Sequence, residues 1–191
     1  MGPTLTGSVR SPITRDSRLG ISRLEAESDA ESCAHLMATS EPWLTLGRTY
    51  EASLRIVQDP AREVYLARDD EGLAGFLILC MTGAFVGYIQ TILVHPNRRG
   101  QGIGSRLLEF AEQRILQESP NVFMCVSSFN HGARRLYERQ GYRVVGELTD
   151  YIVEGYSEIL LRKTRGPLTG FIHAPPQARI GTSAPDGVAE V

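Results

Sequence analysis

Apolar positions change their spacing several times along the chain, and each change marks an element. From Ile21 to Glu25 apolar and polar residues alternate as in a short strand, β1. Ser28-Asp29-Ala30-Glu31 has the form of a capping box, and Cys33, Leu36 and Met37 continue it as a helix, α1. Ser40-Glu41-Pro42-Trp43 breaks the pattern. Leu46, Tyr50, Leu54 and Val57 then recur at helical spacing, α2, until Asp59-Pro60 stops them. Two apolar runs, Val64 to Ala67 (β2) and Leu73 to Met81 (β3), flank Asp69-Asp70-Glu71-Gly72, the composition of a tight hairpin turn. A third run, Val86 to Val94 (β4), follows Thr82-Gly83-Ala84, which makes an antiparallel meander.

The rhythm then alternates. Ile103, Leu107, Leu108, Ala111 and Ile115 form the apolar stripe of a helix, α3. Val122 to Val126 reads as a buried strand, β5, and Ala133, Leu136 and Tyr137 mark a further helix, α4. Tyr142 to Val145 (β6) and Tyr156 to Leu161 (β7) close the pattern. The order β1-α1-α2-β2-β3-β4-α3-β5-α4-β6-β7 predicts an α/β fold, a mixed seven-stranded sheet flanked by helices, with no internal repeat. Residues 1–19 and 166–191 mix Gly, Pro, Ser, Thr and Arg without periodicity and are expected to be disordered, leaving residues 20–165 as the folded domain.

Composition narrows the function classes. With 20 basic and 22 acidic residues and no basic stripe interleaved with aromatics, the chain is not expected to bind nucleic acid. Cys33, Cys80 and Cys125 are far apart and odd in number, which argues against a disulfide framework or a thiolate metal site and for a reducing cytoplasm. The run Leu73 to Met81 is too short to cross a bilayer, and Met1 to Arg10 lacks the apolar centre of a signal peptide, so no membrane association is expected. Lys163 is the only lysine; all other basic residues are arginine, the side chain suited to planar bidentate contacts with carboxylate or phosphate.

The most informative segment joins β4 to α3: Ile92-Leu93-Val94-His95-Pro96-Asn97-Arg98-Arg99-Gly100-Gln101-Gly102-Ile103-Gly104-Ser105. Its glycines let backbone N–H groups turn inward where a helix begins with unpaired donors and a positive dipole end, an arrangement that cradles phosphate. Arg98 and Arg99 can add charge-assisted bonds to the same anion. The GxGxG spacing does not suit a dinucleotide-binding turn, and without Gly-Lys-Ser/Thr the loop is no Walker A motif.

Arg99-Gly100-Gln101-Gly102-Ile103-Gly104 matches the RxxGxG signature, and Asn130, Ala133, Leu136-Tyr137 and Gly141-Tyr142 match the NxxAxxLYxxxGF segment, of the GNAT superfamily of N-acetyltransferases. The chain resembles that family from about Ile21 to Leu161, and within it the bacterial enzymes that acetylate the N-terminal alanine of a ribosomal protein, which share Pro42-Trp43. The resemblance implies acetyl-CoA as co-substrate and no metal. It places the pyrophosphate on the loop from Arg99 through Gly100, Gln101, Gly102, Ile103 and Gly104 to Ser105, and the pantetheine arm along the main chain of Ile92, Leu93 and Val94. It also implies that Asn130 binds the CoA arm and that Tyr137 is the general acid for the departing thiolate. The acceptor is then a primary amine, on a protein N-terminus or a small molecule, attacking directly in a ternary complex, with Trp43 beside it; the enzyme is a monomer or a homodimer.

The general base is harder to place. The ribosomal-protein enzymes usually carry a glutamate five residues before the asparagine, where this chain has Cys125, and β4 offers only Tyr88 and Gln90. Glu41 and Glu158 are the remaining candidates, both in regions that border the acceptor pocket in this family. An α-amine of pKa near 8 is neutral about a tenth of the time at pH 7, a lysine amine less than about a thousandth, so a base matters most for lysine. A non-catalytic acyl-CoA-binding module of the same fold is the alternative reading.

Overall fold

The structure, a computed structural model, describes residues 19–171. The expected disordered segments therefore lie outside it, apart from Leu19 and residues 166–171. Leu19 belongs with the folded part: its side chain is buried and its carbonyl accepts a 2.8 Å hydrogen bond from Arg106 Nη2.

The strands are β1 (Gly20–Arg23), β2 (Arg62–Asp69), β3 (Gly72–Cys80), β4 (Tyr88–Val94), β5 (Asn121–Ser127), β6 (Arg143–Leu148) and β7 (Glu158–Thr164), in the sheet order β1-β2-β3-β4-β5-β7-β6. Only β4 and β5 run parallel; every other neighbouring pair is antiparallel. The near-continuous apolar runs of β2 and β3 reflect burial on both faces. Val64, Leu66, Phe76 and Ile78 pack toward α1 (Glu27–Ala38) and α2 (Tyr50–Val57). Tyr65, Ala67, Leu77 and Leu79 join the core with α3 (Ile103–Ile115) and with Tyr137 of α4 (His131–Arg139).

Several boundaries differ from expectation. The capping box does not form: α1 begins at Glu27, with Ala26 as a cap that offers no side-chain bond, so Ser28 is already helical. Glu27 and Asp29 in the first turn favour the helix start through its dipole instead. Leu46 lies in a turn, and α2 starts after Thr49, whose hydroxyl accepts from Ala52 N at 3.2 Å. Val86, Tyr142 and Tyr156 all fall just before their strands.

Two irregularities of β4 shape the middle of the sheet. The β3–β4 register shifts between Ile78 and Leu79, which pair with Thr91 and Ile89, so Gln90 is an extra residue on β4. Its effect is a change of face. Ile89 packs with the α3 side and Leu93 with the α1/α2 side, although an even spacing on a regular strand would put both on one face. The second irregularity is that β4 pairs with β5 only through Tyr88↔Phe123 and Ile89↔Met124, after which the strands part. Gly87 makes the close start possible: at φ +86°, a Cβ there would lie 2.4 Å from Ile115 Cγ2 and 2.6 Å from the Asn121 carbonyl.

Candidate active site

The wedge between β4 and β5 opens into two adjoining cavities of about 780 and 820 Å³. Ile92, Asn130, Tyr137 and Trp43 line both, so these residues mark where the cavities meet. Beyond Ile89 the backbone of β4 has no strand beside it on the β5 side, which leaves main-chain groups to face the wedge.

The smaller cavity is bounded by the glycine-rich loop. Ile92, Leu93, Val94, Arg99, Gly100, Gly102, Ile103, Gly104 and Ser105 line it, whereas Gln101 does not. Gly102 caps α3 in the left-handed conformation (φ +79°) and contributes no side-chain cap. The first helical bond comes from Arg106 N to Gly102 O at 3.1 Å, so the N–H groups of Ile103, Gly104 and Ser105 bond no protein acceptor among the described residues. No acidic residue occupies that first turn. Such donors suit an anion, and the open ground above Gly104 suits a bulky one: a Cβ there would make only ordinary contacts, 3.6 Å to Val94 and 3.7 Å to Leu136.

The two arginines of the loop have separate fates. Arg98 turns back to the β2–β3 hairpin, where it pairs with Asp69 and, at 3.1 Å, with Glu71. The Arg98 guanidinium holds the Asp69 carboxyl below the usual carboxylate range. Arg98 thus anchors the loop while still lining the cavity, and Arg99, exposed with its Nε 3.5 Å from the Val94 carbonyl, is the loop arginine with no carboxylate partner among the described residues.

Asn130 and Tyr137 come from α4. Asn130 Oδ1 accepts from Ala133 N at 3.2 Å and so caps the helix, while its residue lines both cavities. Tyr137 is 9% exposed, and its hydroxyl bonds no protein group among the described residues. Burial pushes that phenol up to about 12, so it stays protonated at neutral pH. Its ring lies 6.2 Å from that of Tyr142, over which Lys163 sits at 5.7 Å while pairing with Glu112 at 2.7 Å. The chain's one lysine therefore holds the wall behind Tyr137.

The larger cavity is closed by the α1–α2 connection on one side and the β6–β7 loop on the other, through Trp43, Arg48, Tyr151 and Ile152. The two base candidates separate here. Glu158 lines this cavity and is 4% exposed; Ser127 Oγ donates to its Oε1 at 2.5 Å. Burial raises its pKa, and the Ser127 hydrogen bond opposes the shift less strongly. Glu41 is exposed, lines the other cavity, and accepts from Thr45 N at 3.3 Å. Tyr88 and Cys125 stand beside Glu158's cavity as neighbours of each other, and burial raises the pKa of both. Sequence reasoning missed Arg48, which carries no motif that would reveal it.

The family model of the GNAT acetyltransferases matches residues 25–142, more than half of the chain. The chain belongs to the GNAT family. The blasticidin-S acetyltransferase of Streptomyces morookaense is 30% identical over 90 residues, which cover 44% of this GNAT chain and 66%, just under two thirds, of that protein. Among solved structures, an aminoglycoside 6'-N-acetyltransferase complexed with coenzyme A has a TM-score of 0.64 at 19% identity, over 77% of this chain and 97% of the other. The ribosomal-protein-S18-alanine N-acetyltransferase of Escherichia coli has a TM-score of 0.61 at 20% identity, over 84% and 99%. At such identities the structural likeness carries the fold. No cluster of metal-ligating side chains occurs among the described residues, and no described helix is long and apolar enough to cross a membrane.

Proposed function

We propose that the protein is an acetyl-CoA-dependent N-acetyltransferase in which a primary amine attacks the thioester directly. The observation that carries this reading is the meeting of the two cavities at Ile92, Asn130 and Tyr137, with a loop of free N–H donors at the far end of one and a buried carboxylate in the other.

The pyrophosphate rests on the N–H groups of Ile103, Gly104 and Ser105, with Arg99 beside it. The pantetheine arm follows Ile92, Leu93 and Val94 as a surrogate for the strand that β5 fails to provide. A main-chain N–H of this stretch polarises the thioester carbonyl as charge develops on its oxygen. The amine enters through the other cavity, past Trp43. Glu158, whose raised pKa makes it a stronger base than an ordinary carboxylate, takes the ammonium proton. The N–C bond forms, the tetrahedral adduct releases its second N–H proton to solvent, the C–S bond breaks, and Tyr137 gives its phenolic proton to the thiolate before solvent restores it. Glu41, exposed and away from this cavity, has no part in the step.

The test is release of free CoA from acetyl-CoA over a panel of small amines and N-terminal peptides, with acetyl-CoA binding followed separately by calorimetry. Amine-dependent CoA release supports the reading; acetyl-CoA binding with no turnover across the panel marks a binding module instead.

A further inference from the structure

Among the described residues Arg48 is a cation without a side-chain partner. Its side chain lines the larger cavity, and its Nε is buried with no hydrogen-bond acceptor. Elsewhere the half-buried cations are matched: Arg62 with Asp59, Arg98 with Asp69, Arg114 with Glu63 and Lys163 with Glu112. A buried donor without an acceptor costs stability, and a guanidinium loses more than a neutral group. The neighbourhood adds to that cost. Burial first, and then the charge of Arg62, pull the Arg48 pKa down, and no carboxylate offsets them. Arg62 is itself occupied, by Asp59 at 2.9 Å and by Cys80 Sγ at 3.6 Å.

The cavity therefore has two unlike ends. Arg48 lies toward β2 and β3, as its interaction with Arg62 shows, and Glu158 lies between β5 and β7, bonded to Ser127. Resting on the acetyl-transfer reading above, we infer that the acceptor is an amine that also bears a carboxylate, which Arg48 binds through its planar fork while the amino group lies toward Glu158. Carboxylate is the anion that matches a single guanidinium in charge and in bidentate geometry. About 820 Å³ accommodates a small amino acid-like molecule or the first residues of a peptide. The same arginine disfavours a polycationic acceptor, because its charge would stand unscreened in the site.

The test compares matched pairs on the wild-type enzyme, Arg48→Met and Arg48→Lys. One arm uses ω-amino acids and their carboxamides; a second uses peptides beginning Ala-Glu and Ala-Gln, which separates a free small molecule from a peptide as the source of the carboxylate. Each is measured by CoA release and by calorimetric binding to the CoA-loaded enzyme. The carboxylate member of a pair should bind and react about ten- to a hundredfold better with wild type, the range for losing a charged hydrogen bond. Arg48→Met should erase that preference, Arg48→Lys should keep part of it, and acetyl-CoA affinity should not change. With no side-chain hydrogen bond to lose among the described residues, Arg48→Met should melt no lower than wild type. Carboxylates that bind in an Arg48-dependent way without releasing CoA would uphold the inference and sink the transferase reading. Amides acetylated as well as carboxylates would do the reverse. A lower melting temperature in Arg48→Met, or no binding of any carboxylate amine, would overturn the inference.

Discussion

Ser127, the last residue of β5, and Glu158, the first of β7, are paired across the strands, and the serine hydroxyl donates to the buried carboxylate at 2.5 Å. The bond keeps one carboxylate oxygen fixed and leaves the other for chemistry. Burial, which outweighs that hydrogen bond, makes the acid resist ionisation.

Glu158→Gln separates those two consequences. The amide oxygen can still accept from Ser127, so packing is nearly kept, but turnover should fall about a hundredfold or more, the scale for one proton-transfer group. In wild type, kcat/KM should rise with pH along a limb set above the ordinary glutamate range, and the variant should lack that limb. The stability effect has the opposite sign. Because the folded pKa exceeds the unfolded one, the native state holds more protons between the two values, and wild-type stability falls as pH rises through that window. Glu158→Gln should therefore melt at or above wild type at pH 7. A marked loss of melting temperature there would assign the carboxylate a structural role.

Tyr137→Phe removes only a hydroxyl that bonds nothing among the described residues. Acetyl-CoA affinity should stay within about threefold while kcat with the best amine falls roughly a hundredfold. Full kcat in the variant across the pH range would make water the proton donor.

Gly104→Ala tests the cradle without disturbing the fold, because the new methyl meets Val94 and Leu136 at ordinary contact distance. It should melt like wild type and bind acetyl-CoA about tenfold or more weakly, roughly the loss of one charge-assisted hydrogen bond. Gly102→Val combines the same obstruction with strain at φ +79° and should lose both binding and stability. Calorimetry and thermal melts on the two variants distinguish a site effect from a folding effect.

Gly87→Ala should be costly at a distance from any ligand. The methyl would fall 2.4 Å from Ile115 Cγ2, in a left-handed conformation, for a combined penalty of about 2–4 kcal/mol. Chemical denaturation reads it; a change below 1 kcal/mol would mean that the start of β4 can shift to make room.

The order of strands and helices was legible because two-residue and 3.6-residue spacing differ over even short windows, and the loop was legible because its glycines are followed, a helix and a strand later, by the Asn130 to Tyr142 segment of the same family pattern. Element ends were less so. Ser28 fits a capping box on paper, yet Ala26 caps α1 because Glu27 and Asp29 already favour an earlier start. The bulge at Gln90 left no mark, since glutamine is not a residue that turns demand, and with it went the change of face between Ile89 and Leu93. Glu158 was a base candidate only through the family resemblance, on a par with exposed Glu41. The burial of Glu158 depends on Ser127 and Leu148, strand partners that no local window contains. Arg48 was hidden for the same reason: being unpaired is a property of the whole neighbourhood.

Two residue pairs are all that stitch β1–β4 to β5–β7 along the middle of the sheet. Mechanically the sheet is two stiff leaves with a short seam, and thermal motion that opens the wedge has few backbone bonds to break there. Whatever lies along the free edge of β4 then serves as a splint, so occupancy of the wedge and rigidity of the leaves should rise together.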